Sequence, residues 1–302
     1  MASSRKRKIV VTLFSLGVLF FIVIFVAGVV ALISSSKSPY KNTKGQSIAI
    51  LKIEGVISES EKTLKTIRDI RDNENIKAII LRINSPGGLV APSQEIFQEV
   101  KRLKEEKKKF VVASMETVAA SGGYYVACAA DSIVANPGTL TASIGVKMDF
   151  ANLEKLYEWL KVKPYTLTSG RFKDIGSPNR EMTPDEKQLI LDMIQNIYEQ
   201  FTSVVLESRK TKIKKEELEK IADGRVMTGH QALQYGLVDR LGSFEDAVDE
   251  AKKLAGITGE PNIIYPPKER ITVLRQLMEE KVLEKIVSLF LMDKQPLPEW
   301  QF

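Results

Sequence analysis

Apolar residues along this chain fall into three regimes. Residues 9–33 are an apolar run that no charge interrupts. From Ser47 to Ala255, short continuous apolar runs alternate with runs spaced three and four apart. After Pro266 a single amphipathic stretch, residues 272–291, leads to a proline-broken end at residues 296–302. In the middle regime the short runs predict strands at residues 48–53, 76–83, 110–115, 132–135 and 165–168. Helical spacing appears at residues 61–71, through Leu64, Ile67 and Ile70, and at residues 92–108, through Ile96, Phe97, Val100 and Leu103. It returns at residues 152–161 and along residues 184–209, where Leu189, Ile190, Met193, Ile197, Phe201 and Val205 share a side. Shorter helices are predicted at residues 215–222, 229–235 and 243–255, the last opened by Ser243 with Asp246 three residues on. Strands alternating with helices argue for an α/β fold with a largely parallel sheet.

The first regime sets the compartment. Roughly 25 residues at about 1.5 Å each reach about 37 Å, enough for a hydrocarbon core of about 30 Å with some tilt. Arg5, Lys6, Arg7 and Lys8 precede the run and are expected to stay cytoplasmic. The run exceeds the apolar length usual in a cleaved signal peptide, which favours an uncleaved single-pass anchor in the cell membrane. Cleavage near Ala27, Gly28 or Ala31 is the alternative. Either way the rest of the chain is extracytoplasmic. The expected organisation is residues 1–33 as basic tip and anchor, 34–46 as linker, 47–255 as the main domain and 256–302 as a C-terminal extension with one amphipathic helix.

Composition narrows the chemistry. The 302 residues carry a formal net charge of +6, and the basic tip supplies four of those positive charges. No basic, aromatic-interleaved patch suggests nucleic acid. The only cysteine, Cys128, excludes an intrachain disulfide and any cysteine-cluster metal site. The only histidine, His230, lies in Thr228-Gly229-His230-Gln231-Ala232, which reads as a surface helix start. A serine nucleophile in this chain would therefore need a base other than histidine, and neither metal nor cofactor is implied.

Such a serine is available. In Val118-Ala119-Ala120-Ser121-Gly122-Gly123-Tyr124-Tyr125 the glycines permit a sharp turn at a strand end, and a helix opening there would direct free N–H groups at a developing anion. A closely packed small-residue helix start fits the same residues. Asn84-Ser85-Pro86-Gly87-Gly88 is a second strand-end turn, able to expose backbone N–H groups or to serve as an ordinary strand-to-helix connection. In Thr139-Leu140-Thr141-Ala142-Ser143-Ile144-Gly145-Val146 hydroxyls precede a short apolar strand, and turn chemistry would also explain them. Lys173 follows a glycine turn in Ser169-Gly170-Arg171-Phe172-Lys173-Asp174, a place where lysines are usually solvated.

Together with Ala222-Asp223-Gly224-Arg225, these stretches resemble, in content and order, the signal peptide peptidase SppA family in its short form. The resemblance spans about Ser47 to Ala255. It implies a Clp-protease/crotonase-type fold, a repeated ββα superhelix, behind a single N-terminal transmembrane helix. It also implies a membrane-anchored serine endopeptidase that degrades remnant signal peptides and other membrane-released peptides. Carried over by motif, Ser121 is the nucleophile and Lys173 the general base. Ser143 orients the lysine, and the Gly88 and Gly122 amides form the oxyanion hole. Ala142 departs slightly, standing where relatives often have glycine. A lysine base must be neutral, and an exposed lysine, which ordinarily titrates at about 10.4, is not, so Lys173 has to be covered. The family implies the cover: a ring-shaped homo-oligomer in which nucleophile and base come from adjacent subunits. A crotonase-like acyl-CoA enzyme and a non-catalytic membrane scaffold are the alternatives.

Overall fold

Three parallel strands carry the frame: β1 (Ser47–Glu54), β2 (Ile76–Ser85) and β3 (Phe110–Ala120), side by side in that order. The computed structural model describes residues 45–266, together with residues 17, 20, 38–41 and 43. β3 changes partner along its length. Residues 112–115 pair with β4 (Ser132–Ala135), and residues 118–120 pair with β5 (Leu140–Ala142). β6 (Val226–Thr228) joins β5 antiparallel, β7 (Arg240–Leu241) joins β4, and β8 (Asn262–Ile264) closes the far edge beside β1. The result is an eight-stranded sheet, parallel in every described pairing except β5 with β6.

Helices cover both faces, so β2 is buried without interruption from Ala78 to Leu81. Strand alternation divides the side chains. Ala49, Leu51 and Ile53 join the larger core with Ile67 and Ile70 of α1 (Glu61–Arg71) and Ile96, Val100 and Leu103 of α2 (Val90–Lys107). That core also receives α3 (Gly122–Ala127), the short helix after Ser121. Ile48 and Ile50 point to the opposite face, against Ala247, Val248 and Ala251 of α8 (Phe244–Ala255). Each such isoleucine contributes about 1.5–3 kcal/mol by leaving water.

Several sequence expectations are revised. β3 runs past the predicted Met115 to Ala120, delivering the chain directly to Ser121. The helix predicted over residues 152–161 is shorter, α4 (Glu154–Trp159). The predicted strand at residues 165–168 is absent: Tyr165 is 85% and Leu167 87% exposed in irregular backbone. Pro164 has no N–H to give, and among the described residues no strand lies beside this segment. The sheet body also takes in residues outside 47–255. Tyr40, read as linker, is buried with its hydroxyl donating to Ile50 O (2.6 Å), and β8 lies in the predicted extension. The apolar run at residues 9–33 and the helix at 272–291 lie outside the described residues. Among the described residues no helix is long and apolar enough to cross a membrane.

Helix α5 (Pro184–Arg209) is the longest described, with 26 residues. Its C-terminal half is rooted through Phe201, Val205 and Arg209. The Arg209 guanidinium forms a two-pronged pair with Asp239 (2.8 Å each) and donates to Gly236 O, and Asp239 also accepts from the Ile133 N–H of β4 (2.8 Å). In the N-terminal half Glu186 and Ile190 are buried, but Leu189, Leu191 and Met193 are exposed although periodicity placed Leu189 and Met193 on the apolar side with Ile190. α6 (Lys215–Glu219) and α7 (Gly229–Gln234) complete the helices used below. Because Arg209 is buried, Arg209→Ala strands the Asp239 charge and is expected to lower stability by about 3–5 kcal/mol in denaturant titrations.

Candidate active site

The C-terminal ends of β2, β3 and β5 meet at one edge of the sheet. Ala120 pairs with Ala142, so Ser121 and Ser143, each one residue further on, emerge from adjacent parallel strands about 4.8 Å apart. Ser121 turns the chain sharply into α3 with φ 52° and ψ −121°. Ala142 and Ser143 also have positive φ, 62° and 52°. Such conformations cost about 1–3 kcal/mol each in residues other than glycine and persist only where the surroundings enforce them. Here the Ser121 N–H donates to Ala142 O (2.8 Å) and the Ser143 N–H to Arg225 O (2.9 Å). Gly224 N–H in turn donates to Ile144 O, and the Asp223–Arg225 ion pair stiffens that brace, holding the Asp223 carboxyl down at about 2. The positive φ at Ala142 is the physical reason a glycine is at home there.

The Gly87-Gly88 turn is pressed against this elbow. A Cβ on Gly87 would stand 2.6 Å from Gly122 N and 2.8 Å from Ser121 Cβ. From the other side, Ile57 clamps the turn: its N–H donates to Gly87 O (2.9 Å) and its carbonyl accepts from Leu89 N–H (2.7 Å). In a trans peptide the N–H opposes the carbonyl, so the Gly88 N–H points away from Ile57. Gly88 N lies 3.3 Å from where a Gly122 Cβ would be. Two backbone amides, of Gly88 and Gly122, thus flank the Ser121 elbow. Neither has a protein acceptor among the described residues. Ser93, not singled out from sequence, closes the floor, its Oγ 2.5 Å from the same Cβ position.

Lys173 is not brought to this cluster. It lies in a chain of turns between α4 and α5, with its backbone N–H donating to Gly170 O (3.1 Å) and its side chain exposed. Among the described residues that side chain has no hydrogen bond to Ser121 or Ser143. The turns themselves are well anchored. Phe150 packs over Gly176, Leu153 N–H donates to Pro178 O (2.7 Å), and Arg171 pairs with Asp185 of α5. Arg180 bridges Asp174 to Glu186, the N3 residue of the α5 capping box with Thr183. That clamp was not anticipated, although Thr183-Pro184-Asp185-Glu186 is a legible capping signature. Arg180, followed by the Thr183 N–H, holds the Glu186 carboxyl down at about 2 from an ordinary 4.5. The stabilisation is therefore present above about pH 4.5 and is lost as pH falls toward about 2.

His230 opens α7 and is exposed, its N–H donating to Pro137 O. Leu140 pairs with Thr228 and Ala142 with Val226, so His230 lies beyond the end of β5 away from Ser143. Cys128 is buried behind α3, and burial pushes its thiol up to about 11. Among the described residues no group of His, Cys, Asp or Glu could hold a metal ion.

A family model described as peptidase family S49 matches residues 103–258. The chain belongs to peptidase family S49. A candidate protease of Synechocystis sp. is 41% identical over 221 residues, covering 72% of this S49 chain and 78% of its own length. A candidate signal peptide peptidase SppA of Enterococcus faecium is 32% identical over 238 residues, covering 74% and 68%. The chloroplastic serine protease SPPA of Arabidopsis thaliana is 38% identical over 230 residues, 76% of this chain but 32% of the longer plant protein. The protein is a serine protease of family S49, which sets the acyl-CoA alternative aside.

Sequence reasoning picked out both glycine turns, Ser121 and Ser143, and the fold gathers them. It missed the Ile57 clamp, because a backbone contact with Gly88 leaves no mark on the identity of residue 57. In the S49 peptidase a Cβ on Gly88 would stand 2.2 Å from Ile57 O, whereas one on Gly138 would meet nothing within 4 Å. Gly88→Ala is expected to lower stability by about 1–3 kcal/mol in thermal melts, with Gly138→Ala as a near-neutral control.

Proposed function

We propose that this S49 protease is a membrane-anchored endopeptidase working through a Ser121–Lys173 dyad on remnant signal peptides and other membrane-released peptides. The observation that carries the reading is the convergence of Ser121, Ser143 and the Gly88 and Gly122 amides at one sheet edge. Ser121 Oγ attacks the scissile carbonyl, and the two amides stabilise the oxyanion that forms. Neutral Lys173 takes the serine proton and returns it to the leaving amine, with the Ser143 hydroxyl fixing the direction of the amine. The exposed position of His230, away from Ser143, favours lysine over histidine as base. The signal-peptide assignment draws on the name of the Enterococcus relative and on the anchor expected over residues 9–33. That anchor would hold the catalytic domain outside the cytoplasm, at the membrane. The passage of β3 from one strand partner to the next suits the Clp-protease/crotonase-type arrangement.

In this reading the base is supplied from a second copy. Lys173 rides on a projecting arm, residues 147–200, with Trp159 at 77% exposure and Tyr165 and Leu167 higher still. Apolar surface so concentrated on one projection is unusual for a monomer. Seating the arm on the next copy would cover it, desolvate the lysine and carry the amine to that copy's Ser121. A head-to-tail contact of this kind closes into a ring when its rotation permits.

Ser121→Ala and Lys173→Ala are each expected to abolish peptide hydrolysis in folded protein, the double variant being little worse than either. His230→Ala should keep most activity. The rate should rise with pH on a limb above the roughly 6.5 of a histidine base, and a profile flat from about pH 6 would count against lysine. Mixing inactive Ser121→Ala and Lys173→Ala proteins under verified subunit exchange should restore part of the wild-type rate. If exchange occurs and no activity returns, the dyad lies within one chain.

A further inference from the structure

Arg180 makes more contacts than an anchored surface loop requires. Its Nη1 and Nη2 donate to the two oxygens of Glu186 (2.8 and 2.7 Å), a two-pronged pair on a carboxylate only 3% exposed. Its Nε donates to Asp174 Oδ2 and its Nη2 to the main-chain oxygen of Asp174, both at 3.2 Å. Asp174 is the residue after Lys173, so it is held through side chain and main chain together. The Lys173 N–H is itself tied to Gly170 O (3.1 Å). The backbone around Lys173 is therefore fixed on both sides, while its side chain projects into solvent. A base that must reach a serine hydroxyl on a second copy gains from such fixing, because a displacement of about 1 Å can cost about 10²-fold in rate.

The clamp also connects to the frame that carries Ser121. Glu186 lies in the first turn of α5, and Arg209 ends the same helix. Arg209 pairs with Asp239, Asp239 accepts from the Ile133 N–H of β4, and β4 pairs with β3, which Ser121 directly follows. A two-pronged arginine pair at each end thus makes α5 a rigid lever between the strand frame and the lysine-bearing turn.

We propose that Arg180, through its pair with Glu186, is a positioning residue for Lys173, holding the lysine-bearing turn in a fixed place on the first turn of α5. The proposal rests on the reading of Lys173 as the base. Lysine cannot replace Arg180, because one ammonium cannot reproduce a planar fork that spans Glu186, Asp174 Oδ2 and Asp174 O at once.

The test uses the full chain and an activated peptide ester, whose easy leaving group keeps a residual rate measurable. Arg180→Lys, Arg180→Ala and Glu186→Gln are compared in the wild-type background and in Lys173→Ala. Each should lower kcat by about 10–100-fold in the wild type, with KM within about three-fold. In Lys173→Ala the same changes should leave the residual rate unaltered, since there is no amine left to position. Wild-type kcat in the Arg180 variants, beside an inactive Lys173→Ala, would overturn the positioning role alone. An equal loss in both backgrounds would also overturn it, as the mark of a merely structural pair. If Arg180→Ala fails to fold, Arg180→Lys and Glu186→Gln carry the same comparison. If Lys173→Ala keeps full kcat, the base assignment fails and this proposal with it.

Discussion

Two backbone turns must touch for this site to exist. Gly87 lies against the Ser121–Gly122 peptide so closely that any side chain at residue 87 would overlap main-chain atoms, and Ile57 presses from behind with equal tightness on Gly88. The contact depends on the strand register. β2 and β3 pair regularly to Ile83 and Met115, then resume at Ser85 and Ala119, so β3 gains residues in between. The irregularity falls where β3 leaves β4 for β5. It carries the chain forward until Ser121 emerges beside both the glycine turn and Ser143. The strain at Ser121, Ala142 and Ser143 is held by ordinary backbone hydrogen bonds to neighbouring segments. Turns held in this way need no rearrangement to present their amides, which is what the proposed oxyanion role would require.

The proposed base, Lys173, is exposed on a separate arm. The arm between β5 and the rooted half of α5 is mostly exposed, yet it is not loosely built: Arg180, Arg171, Phe150 and Leu153 hold its turns against α5 and against each other. Internal order with outward apolar side chains is what a docking element needs, because little conformational entropy remains to be lost on association. The body, by contrast, buries most of its apolar side chains on the two faces of the sheet, with Val56 and Leu89 among those it leaves exposed.

Much of the frame was legible in the sequence because its elements follow simple periods. The continuous apolar run of β2 and the spacing of Ile67 and Ile70 or of Val100 and Leu103 appear as read. Errors arose where local pattern and tertiary context part. Residues 165–168 have strand-like composition but, among the described residues, no strand to pair with, and backbone pairing is not a property of one segment. Leu189 and Met193 have core-like spacing beside the buried Ile190, yet both are exposed. Tyr40 looked like linker because its neighbours are polar, and only the packed body reveals the slot that buries it. Within the site, glycine-serine turns are conspicuous in a sequence. Arg180 and Ile57 are not, because an arginine or an isoleucine is compatible with almost any surface or core position.

The sequence by itself determined the alternation of strands and helices, the two glycine turns, the hydroxyl residues near them and the scarcity of histidine. All of these are set by residue identity and short-range spacing. Only the tertiary structure decided which strand ends become neighbours, that Ser121 and Ser143 emerge side by side, that Gly88 is clamped by Ile57, and that Lys173 is carried outward. Those facts depend on register, on a change of strand partner and on where a long helix is bolted at its two ends. Each is a contact between residues distant in the chain, and no local pattern encodes it.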